Sequence, residues 1–324
     1  MSAAPAPLLE VRELAKWFPL RRSLGDRLRG RPAPRVAAVD GVSVDVRAGE
    51  TLGLVGESGS GKSTLARCVI RLHEPSSGSI RFDGIDVTNA GREELRRVRR
   101  RVQMVFQDPY SSLNPRFTVE SAIVEAGRVH GRVSKREGGA FAGELLATVG
   151  LSSSLAPRYP RELSGGQRQR VAIARALAVG PEVLIGDEAV SSLDVSIQAQ
   201  ILNLLKDLQA QLGLTYLFVS HNLAVVDYIA DRIAVMCAGR LVEVAPARAL
   251  FRKPVHPYTK ALLAAVPEPN PDRRLDLRAL MDGRASNPLE WPEPFRLTGD
   301  DSAALIAVGN GHFVRARQDA RLAA

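Results

Sequence analysis

The sequence predicts an α/β fold built on a parallel sheet. Apolar strand-like runs alternate with helical patterns along the chain, which is the mark of βαβ units. A glycine-rich stretch, Gly56 to Thr64, stands between one such strand and the next helix. A second buried run ends in two adjacent acids, Asp187 and Glu188. The chain has 324 residues, 45% hydrophobic and 24% charged. That is the composition of a soluble globular protein, with length for one large domain or two ordinary ones.

The elements follow in order. Residues 8–18 and 36–46 alternate like strands, and the Arg/Pro/Gly-rich stretch between them reads as a loop. Residues 50–56 are a short apolar run with flanking glycine, hence a buried strand, and 62–72 follow as a helix. Residues 78–87 resemble a hairpin, 101–106 a strand, and 118–150 two helical patterns divided by the polar GRVSKREGG. In LSGGQRQRVAIARAL (163–177) and the residue after it, Val171, Ile173, Ala174, Leu177 and Ala178 fall on one helical face. Residues 181–188 are a buried strand, 195–213 a helix with a glycine stop, 214–220 a strand and 222–230 a helix. A strand pair at 231–245 completes the alternation. Beyond about residue 255 proline rises and periodicity weakens, apart from a helix near 257–266, so 256–324 reads as an appendix rather than a second catalytic domain.

Charge and cysteine narrow the class. Two cysteines, Cys68 and Cys237, lie too far apart for a disulfide framework or a metal-site spacing and fit a reducing cytosol. No apolar run approaches the ~18 residues a membrane span needs. The N-terminus lacks the charged start and apolar core of a secretory signal, so a cytosolic chain is expected. The net charge of +9 concentrates at Arg21–Arg35 and Arg92–Arg101. Either cluster could meet an anionic partner, but neither interleaves aromatics as a nucleic-acid platform would. They read as a solvated loop and a solvated helix face.

The chemistry sits in two places. GESGSGKST (56–64) fits G-x-x-x-x-G-K-[ST] at Gly56, Gly61, Lys62 and Ser63. Glycines let successive backbone N–H groups converge on phosphate oxygens, and the helix start adds partial positive charge. Lys62 can then reach the β- and γ-phosphates while the Ser63 hydroxyl holds Mg²⁺. At average composition such a string arises by chance in roughly one chain of this length in a hundred, and the strand-before, helix-after context lowers that further. In VLIGDE (183–188), a buried strand delivers Asp187 beside a phosphate-bound metal, and Glu188 follows at the strand's C-terminal edge, placed to orient and partly deprotonate an attacking water. Gly186 breaks the strand pattern, since glycine weakens a strand. Ser164 with Gly165 and Gly166 at a helix start forms a second bare cradle that can grip a phosphate.

These residues carry a resemblance. From about residue 8 to 255 the chain is similar to the nucleotide-binding subunits of ATP-binding cassette (ABC) transporters, with their markers in order. LSGGQ (163–167) resembles the cassette signature, QD (107–108) the Q-loop, SSLD (191–194) the D-loop and SH (220–221) the switch histidine. The resemblance implies a P-loop NTPase core of RecA-like type, an antiparallel β subdomain, and a helical subdomain at about 108–178. It also implies two ATP molecules in a head-to-tail pair, with the signature of one cassette covering the γ-phosphate held by the other. Carried over by position, Gly56, Ser58, Gly59, Gly61, Lys62, Ser63 and Thr64 bind ATP from one side. Ser164, Gly165, Gly166 and Gln167 bind it from the other, with Asp194 at the dimer seam. Ser63, Gln107 and Asp187 hold Mg²⁺, Glu188 is the catalytic acid, and His221 touches the γ-phosphate. Gln107 also touches the attacking water. Phe18 is placed to stack on adenine, with Trp17 as runner-up.

Three stretches resemble the oligopeptide, dipeptide and nickel importer subfamily: the insert at 19–35, QDPYSSLNPR (107–116), and HPYTKALLAAVPEP (256–269). The last resembles the start of that subfamily's C-terminal extension, here 256–324. Many members end in a cysteine-rich segment for an iron–sulfur cluster. This chain has no cysteine after Cys237, so no cluster is expected. The implied function is an importer ATPase, peripheral on the cytoplasmic side of the inner (plasma) membrane. Its implied partners are two transmembrane permease subunits, a second ABC ATPase subunit (identical or related) and an extracytoplasmic solute-binding protein, with no nucleic acid. The solute is a peptide, or alternatively an oligosaccharide or nickel. A soluble ABC ATPase acting on nucleic acid or ribosomes would carry a long coiled coil or two cassettes, and a small-molecule kinase would have no use for LSGGQ.

Overall fold

A computed structural model describes residues 6–20, 33–108, 112–265, 286–297 and 303–320. Most of the first arginine cluster (21–32), part of the Q-loop stretch (109–111) and residues 266–285, 298–302 and 321–324 lie outside the described residues. The chain divides into two compact units, one from residues 1–45, 52–89 and 221–324, the other from 46–51 and 90–220.

The first unit contains an antiparallel sheet and a mixed one. Strands β1 (Leu9–Pro19), β2 (Arg35–Val46), β4 (Ser77–Phe82) and β5 (Ile85–Asp86) form the former in the order β2-β1-β4-β5. Alternation buries Leu9 and Val11 on one face of β1. A register shift between Arg12 and Ala15, with Glu13 at φ 44°, then breaks the period so that Leu14 and Ala15 are both buried. Strand β3 (Thr51–Val55) is parallel to β9 (Arg232–Cys237), and β10 (Arg240–Pro246) returns antiparallel to β9. Between β3 and β4 lies helix α1 (Lys62–Val69). It ends three residues before the predicted boundary because Arg71 takes a left-handed φ of 50°, and the N–H groups of Arg71 and Leu72 turn back to the Cys68 and Arg67 carbonyls.

The second unit contains the parallel strands β6 (Val102–Val105), β7 (Val183–Asp187) and β8 (Thr215–Ser220), with β7 between the other two. Its helices are α2 (Arg92–Arg101), α3 (Val119–Val129), α4 (Gly138–Thr148), α5 (Gly165–Leu177) and α6 (Val195–Leu212). Val98 is the one buried residue of α2, which leaves the second arginine cluster on a solvated face, with Arg101 paired to Glu182. Helix α6 stops at Gly213, φ 65°, as the glycine stop predicts.

Helices α7 (Leu223–Ile229), α8 (Ala247–Arg252) and α9 (Pro257–Ala264) belong to the first unit. The final segment is less of an appendix than its composition suggests. Strands β11 (Ala303–Gly309) and β12 (His312–Arg317) form a hairpin across Asn310-Gly311, both at positive φ, and β12 pairs with β10. His312 Nε2 lies 2.7 Å from Oε1 of the fully buried Glu243 of β10.

Candidate functional site

The loop between β3 and α1 is shaped by its glycines. Gly56, Gly59 and Gly61 hold φ of 149°, 82° and 104°, where L side chains rarely go. A Cβ on Gly56 would lie 2.1 Å from the Met236 carbonyl oxygen, and one on Gly61 2.0 Å from the Ala38 carbonyl oxygen. A Cβ on Gly59 would meet nothing within 4 Å. So two of the glycines are required by backbone packed beneath the loop, and the third by φ alone. Gly61 caps α1 without a side-chain hydrogen bond, and the first turn carries no acid. The first-turn N–H groups of Lys62, Ser63 and Thr64 therefore keep their partial positive charge for an anion.

Lys62 is 4% exposed. Its Nζ donates to the carbonyls of Gly56 (2.8 Å) and Glu57 (2.7 Å) and to Ser60 Oγ (3.2 Å). Burial of an ammonium demands such partners, and here the loop itself supplies them. Ser58 is exposed on the rim, and Ser63 and Thr64 are half-buried. At the end of β1, Phe18 is half-exposed, meets His73 edge-on at 5.6 Å between centroids and carries Lys16 Nζ at 5.1 Å from its ring centre. Trp17 beside it is covered by Arg35.

In the second unit the acids meet at one sheet edge. Val105 of β6 is in register with Gly186 of β7. Gln107 and Glu188, each two residues further on, leave the same C-terminal edge, where α/β proteins bind ligands. Asp187 is buried at 2% exposure, while Gln107 is exposed. Glu188 is left-handed at φ 52°. Its N–H donates to the Val219 carbonyl at 3.0 Å and its own carbonyl accepts from Ser191 N at 3.1 Å. Such backbone costs on the order of 1–3 kcal/mol and collects at functional sites. Gly186 now has a packing reason: a Cβ there would press on the Phe218 ring at 3.2 Å. His221 is the first residue after β8, exposed, followed by Asn222, which caps α7.

The signature stretch answers partly to packing. Ser164 caps α5 and forms a capping box with Gln167: Ser164 Oγ accepts from Gln167 N at 3.2 Å, and Gln167 Oε1 accepts from Ser164 N at 2.9 Å. The spacing S-x-x-Q is legible as that box, a reading that the phosphate interpretation of Ser164 and Gln167 passes over. A Cβ on Gly166 would lie 2.6 Å from Ile197 Cγ2, and one on Gly165 3.4 Å from Leu193 Cδ2. The glycines thus admit the D-loop and the start of α6, whose N-cap is Asp194. The box occupies the N–H groups of Ser164 and Gln167 and leaves those of Gly165 and Gly166 as first-turn donors.

The donor set suits a magnesium ion shared with phosphate. Among the described residues no three of His, Cys, Asp and Glu cluster to cage a metal alone. Asp187 and Gln107 in the second unit and Ser63 in the first are each hard oxygen donors, the type that Mg²⁺ takes alongside phosphate oxygens and water.

Comparison with known proteins places the chain in a family. Residues 39–191 match the ABC transporter family, and residues 242–293 match the oligopeptide/dipeptide transporter C-terminal region. A probable peptide ABC transporter ATP-binding protein of Sinorhizobium fredii is 52% identical over 285 residues, 88% of this chain and 79% of that one. The oligopeptide transport ATP-binding protein AppF of Bacillus subtilis is 53% identical over 261 residues, 80% of this chain and 78% of its own length. The glutathione import ATP-binding protein GsiA of Escherichia coli is 49% identical over 310 residues, 95% of this chain, which spans 48% of GsiA. Among solved structures, the ATP-binding cassette MJ0796, in a dimeric post-hydrolysis state bound to ADP and Pi, superposes with a TM-score of 0.65 at 29% identity, covering 74% of this chain and 99% of that one. CbiO1 of Clostridium perfringens, part of the ABC transporter complex CbiONQ, gives 0.64 at 29%, covering 76% and 91%. With relatives more than half identical over most of both lengths, and with the phosphate loop, the paired acids and the signature helix in their places along the chain, the protein belongs to the ATP-binding subunits of the ABC transporter family.

Proposed function

We propose that this chain is the ATP-hydrolysing subunit of an ABC importer, which couples ATP binding and hydrolysis to uptake of peptides through separate membrane subunits. One observation carries the reading. Helix α1 starts from a glycine-rich loop that holds a lysine, whereas α5 starts from Ser164, Gly165 and Gly166 with no lysine of its own. Two such chains, set head to tail, give each nucleotide a loop from one and a signature from the other.

The roles follow from the chemistry. Gly56, Ser58, Gly59, Gly61, Lys62 and Thr64 cradle the phosphates, and Phe18 stacks on the base. Ser63, Asp187 and Gln107 hold Mg²⁺, which when bound neutralises phosphate charge. Glu188 accepts a hydrogen bond from the attacking water and draws off its proton, while His221 donates to the γ-phosphate. Ser164 and the Gly165 and Gly166 N–H groups of the second chain cover that phosphate, with Gln167 bracing the tip and Asp194 at the seam. Contacts that exist with ATP and vanish with ADP make the pair a two-state element.

Peptide is favoured over oligosaccharide or nickel by the match at 242–293 and by the peptide, oligopeptide and glutathione systems of the relatives. No helix of the described residues is long and apolar enough to cross a membrane. The reading assigns the pore to two permease subunits, docks this chain peripherally on the cytoplasmic face of the inner membrane, and gives delivery to an extracytoplasmic solute-binding protein. The Glu188→Gln variant should bind ATP normally while phosphate release falls by about 100-fold or more, the usual contribution of a general base. Hydrolysis at the wild-type rate would remove Glu188 from the chemistry.

A further inference from the structure

The segment after the last cassette strand reaches the phosphate loop. The Tyr258 side chain of α9 is 1% exposed, and its hydroxyl oxygen accepts a hydrogen bond from Glu57 N at 3.0 Å. That N–H belongs to the peptide plane joining Gly56 to Glu57. The opposite side of the same plane is the Gly56 carbonyl, which accepts from Lys62 Nζ at 2.8 Å. One peptide unit is therefore held at its N–H by the phenol and at its oxygen by the ammonium. The Ser286 hydroxyl donates to Glu57 Oε1 at 2.6 Å, which ties the one carboxylate of the loop to residues beyond the cassette. Trp291, also 1% exposed, packs near the Tyr258 ring at 6.2 Å between centroids. Burial pushes the phenol's pKa up, so it stays protonated, and its own proton is shared with Cys237, whose thiol burial raises to about 12.

We infer that Tyr258 and Ser286 are positioning residues for ATP binding. They hold the Gly56–Glu57 peptide and the Glu57 carboxylate in the arrangement that receives the phosphates. The inference rests on the nucleotide reading of the loop. When Lys62 turns from the Gly56 carbonyl to a phosphate oxygen, the phenol alone keeps that peptide from rotating. When Ser286 holds the carboxylate, its negative charge is kept to one side of the incoming anion. The C-terminal region is then part of the nucleotide site as well as a covering for the cassette.

The test uses the full chain, ATP, and two conservative variants. Tyr258→Phe removes one oxygen and keeps the ring against Trp291. Its KM and Kd for ATP should rise about fivefold, the fold-change that one net hydrogen bond carries, with kcat unchanged in the folded protein. Ser286→Ala should weaken ATP binding in the same direction, and should do so no longer in a Glu57→Gln background, because the two act on one carboxylate. A folded Tyr258→Phe protein that binds ATP with wild-type affinity overturns the inference, whatever its melting temperature. So does a fall in kcat at constant KM, the mark of lost active protein. If Tyr258→Phe fails to fold, the Ser286→Ala cycle decides alone, and additivity there overturns the claim. A wild-type chain that binds no ATP would instead refute the nucleotide reading itself.

Discussion

His256 shows how a single side chain records its surroundings. Its Nδ1 accepts from Tyr258 N at 3.2 Å, which puts the neutral ring's proton on Nε2, and Nε2 meets no partner among the described residues. Trp291 and Phe295 close over the ring at 4.5 and 5.1 Å. Burial, and after it the charge of Arg315, lowers its pKa from 6.5 to about 3. A histidine depressed in this way contributes fully above its unfolded pKa. The contribution is lost as pH falls toward the folded value, because the unfolded chain takes up a proton that the folded chain refuses. Urea unfolding should therefore show stability falling below pH 6.5, by at most about 1.4 kcal/mol per pH unit from this group. A His256→Asn variant, which keeps a capping oxygen, should have a shallower slope, and an equal slope would assign the acid sensitivity elsewhere. Residue identity was the most legible layer. Lys62, Ser63 and Asp187 could be singled out as candidates from spacing, because a phosphate-and-magnesium motif admits few residue types. The left-handed backbone of Glu188 could not be read in this way: Gly186 and Asp187 are turn residues, but they do not say which residue takes positive φ, and that backbone is set by hydrogen bonds with Val219 and Ser191.

At the scale of the element, the α5 tip separates packing from ligand binding. Gly166→Ala would drive a methyl into Ile197 at a separation no real Cβ shows. Overpacking of this kind costs about 1–3 kcal/mol. We expect a lower melting temperature together with slower ATP hydrolysis. Adding Ile197→Ala should restore the melting temperature by vacating the space. If the double variant melts like Gly166→Ala, the close approach is not the cause. Elements with 3.6-residue or alternating apolar periods, such as α5, α6 and β8, were legible within a residue or two. Helix α1 ran short because a left-handed arginine, which no propensity signals, ends it. The β11–β12 hairpin has the Asn310-Gly311 turn signal between alternating runs, but it follows a proline-rich stretch with no periodicity of its own.

At the scale of the whole molecule, the head-to-tail pair is a statement about mass. Glu188→Gln with ATP and Mg²⁺ should double in mass by light scattering, alone or mixed with a related cassette, and ADP should leave it unpaired. A chain that stays single with ATP under both conditions would sink the two-sided clasp. The arrangement of units along the chain was the least legible layer, since contacts between distant segments leave no local pattern. The first unit is assembled from three stretches interrupted by the second. A ribosome therefore finishes the residues of the second unit, through Ser220, before it has made β9, α9 or Ser286. Because domains condense as their residues emerge, the growing polypeptide carries its phosphate loop for some two hundred residues of synthesis before Tyr258 exists to steady it. On the inferred role of Tyr258, full affinity for nucleotide arrives late in translation, and a chain interrupted after the signature would carry its phosphate loop without that hydrogen bond.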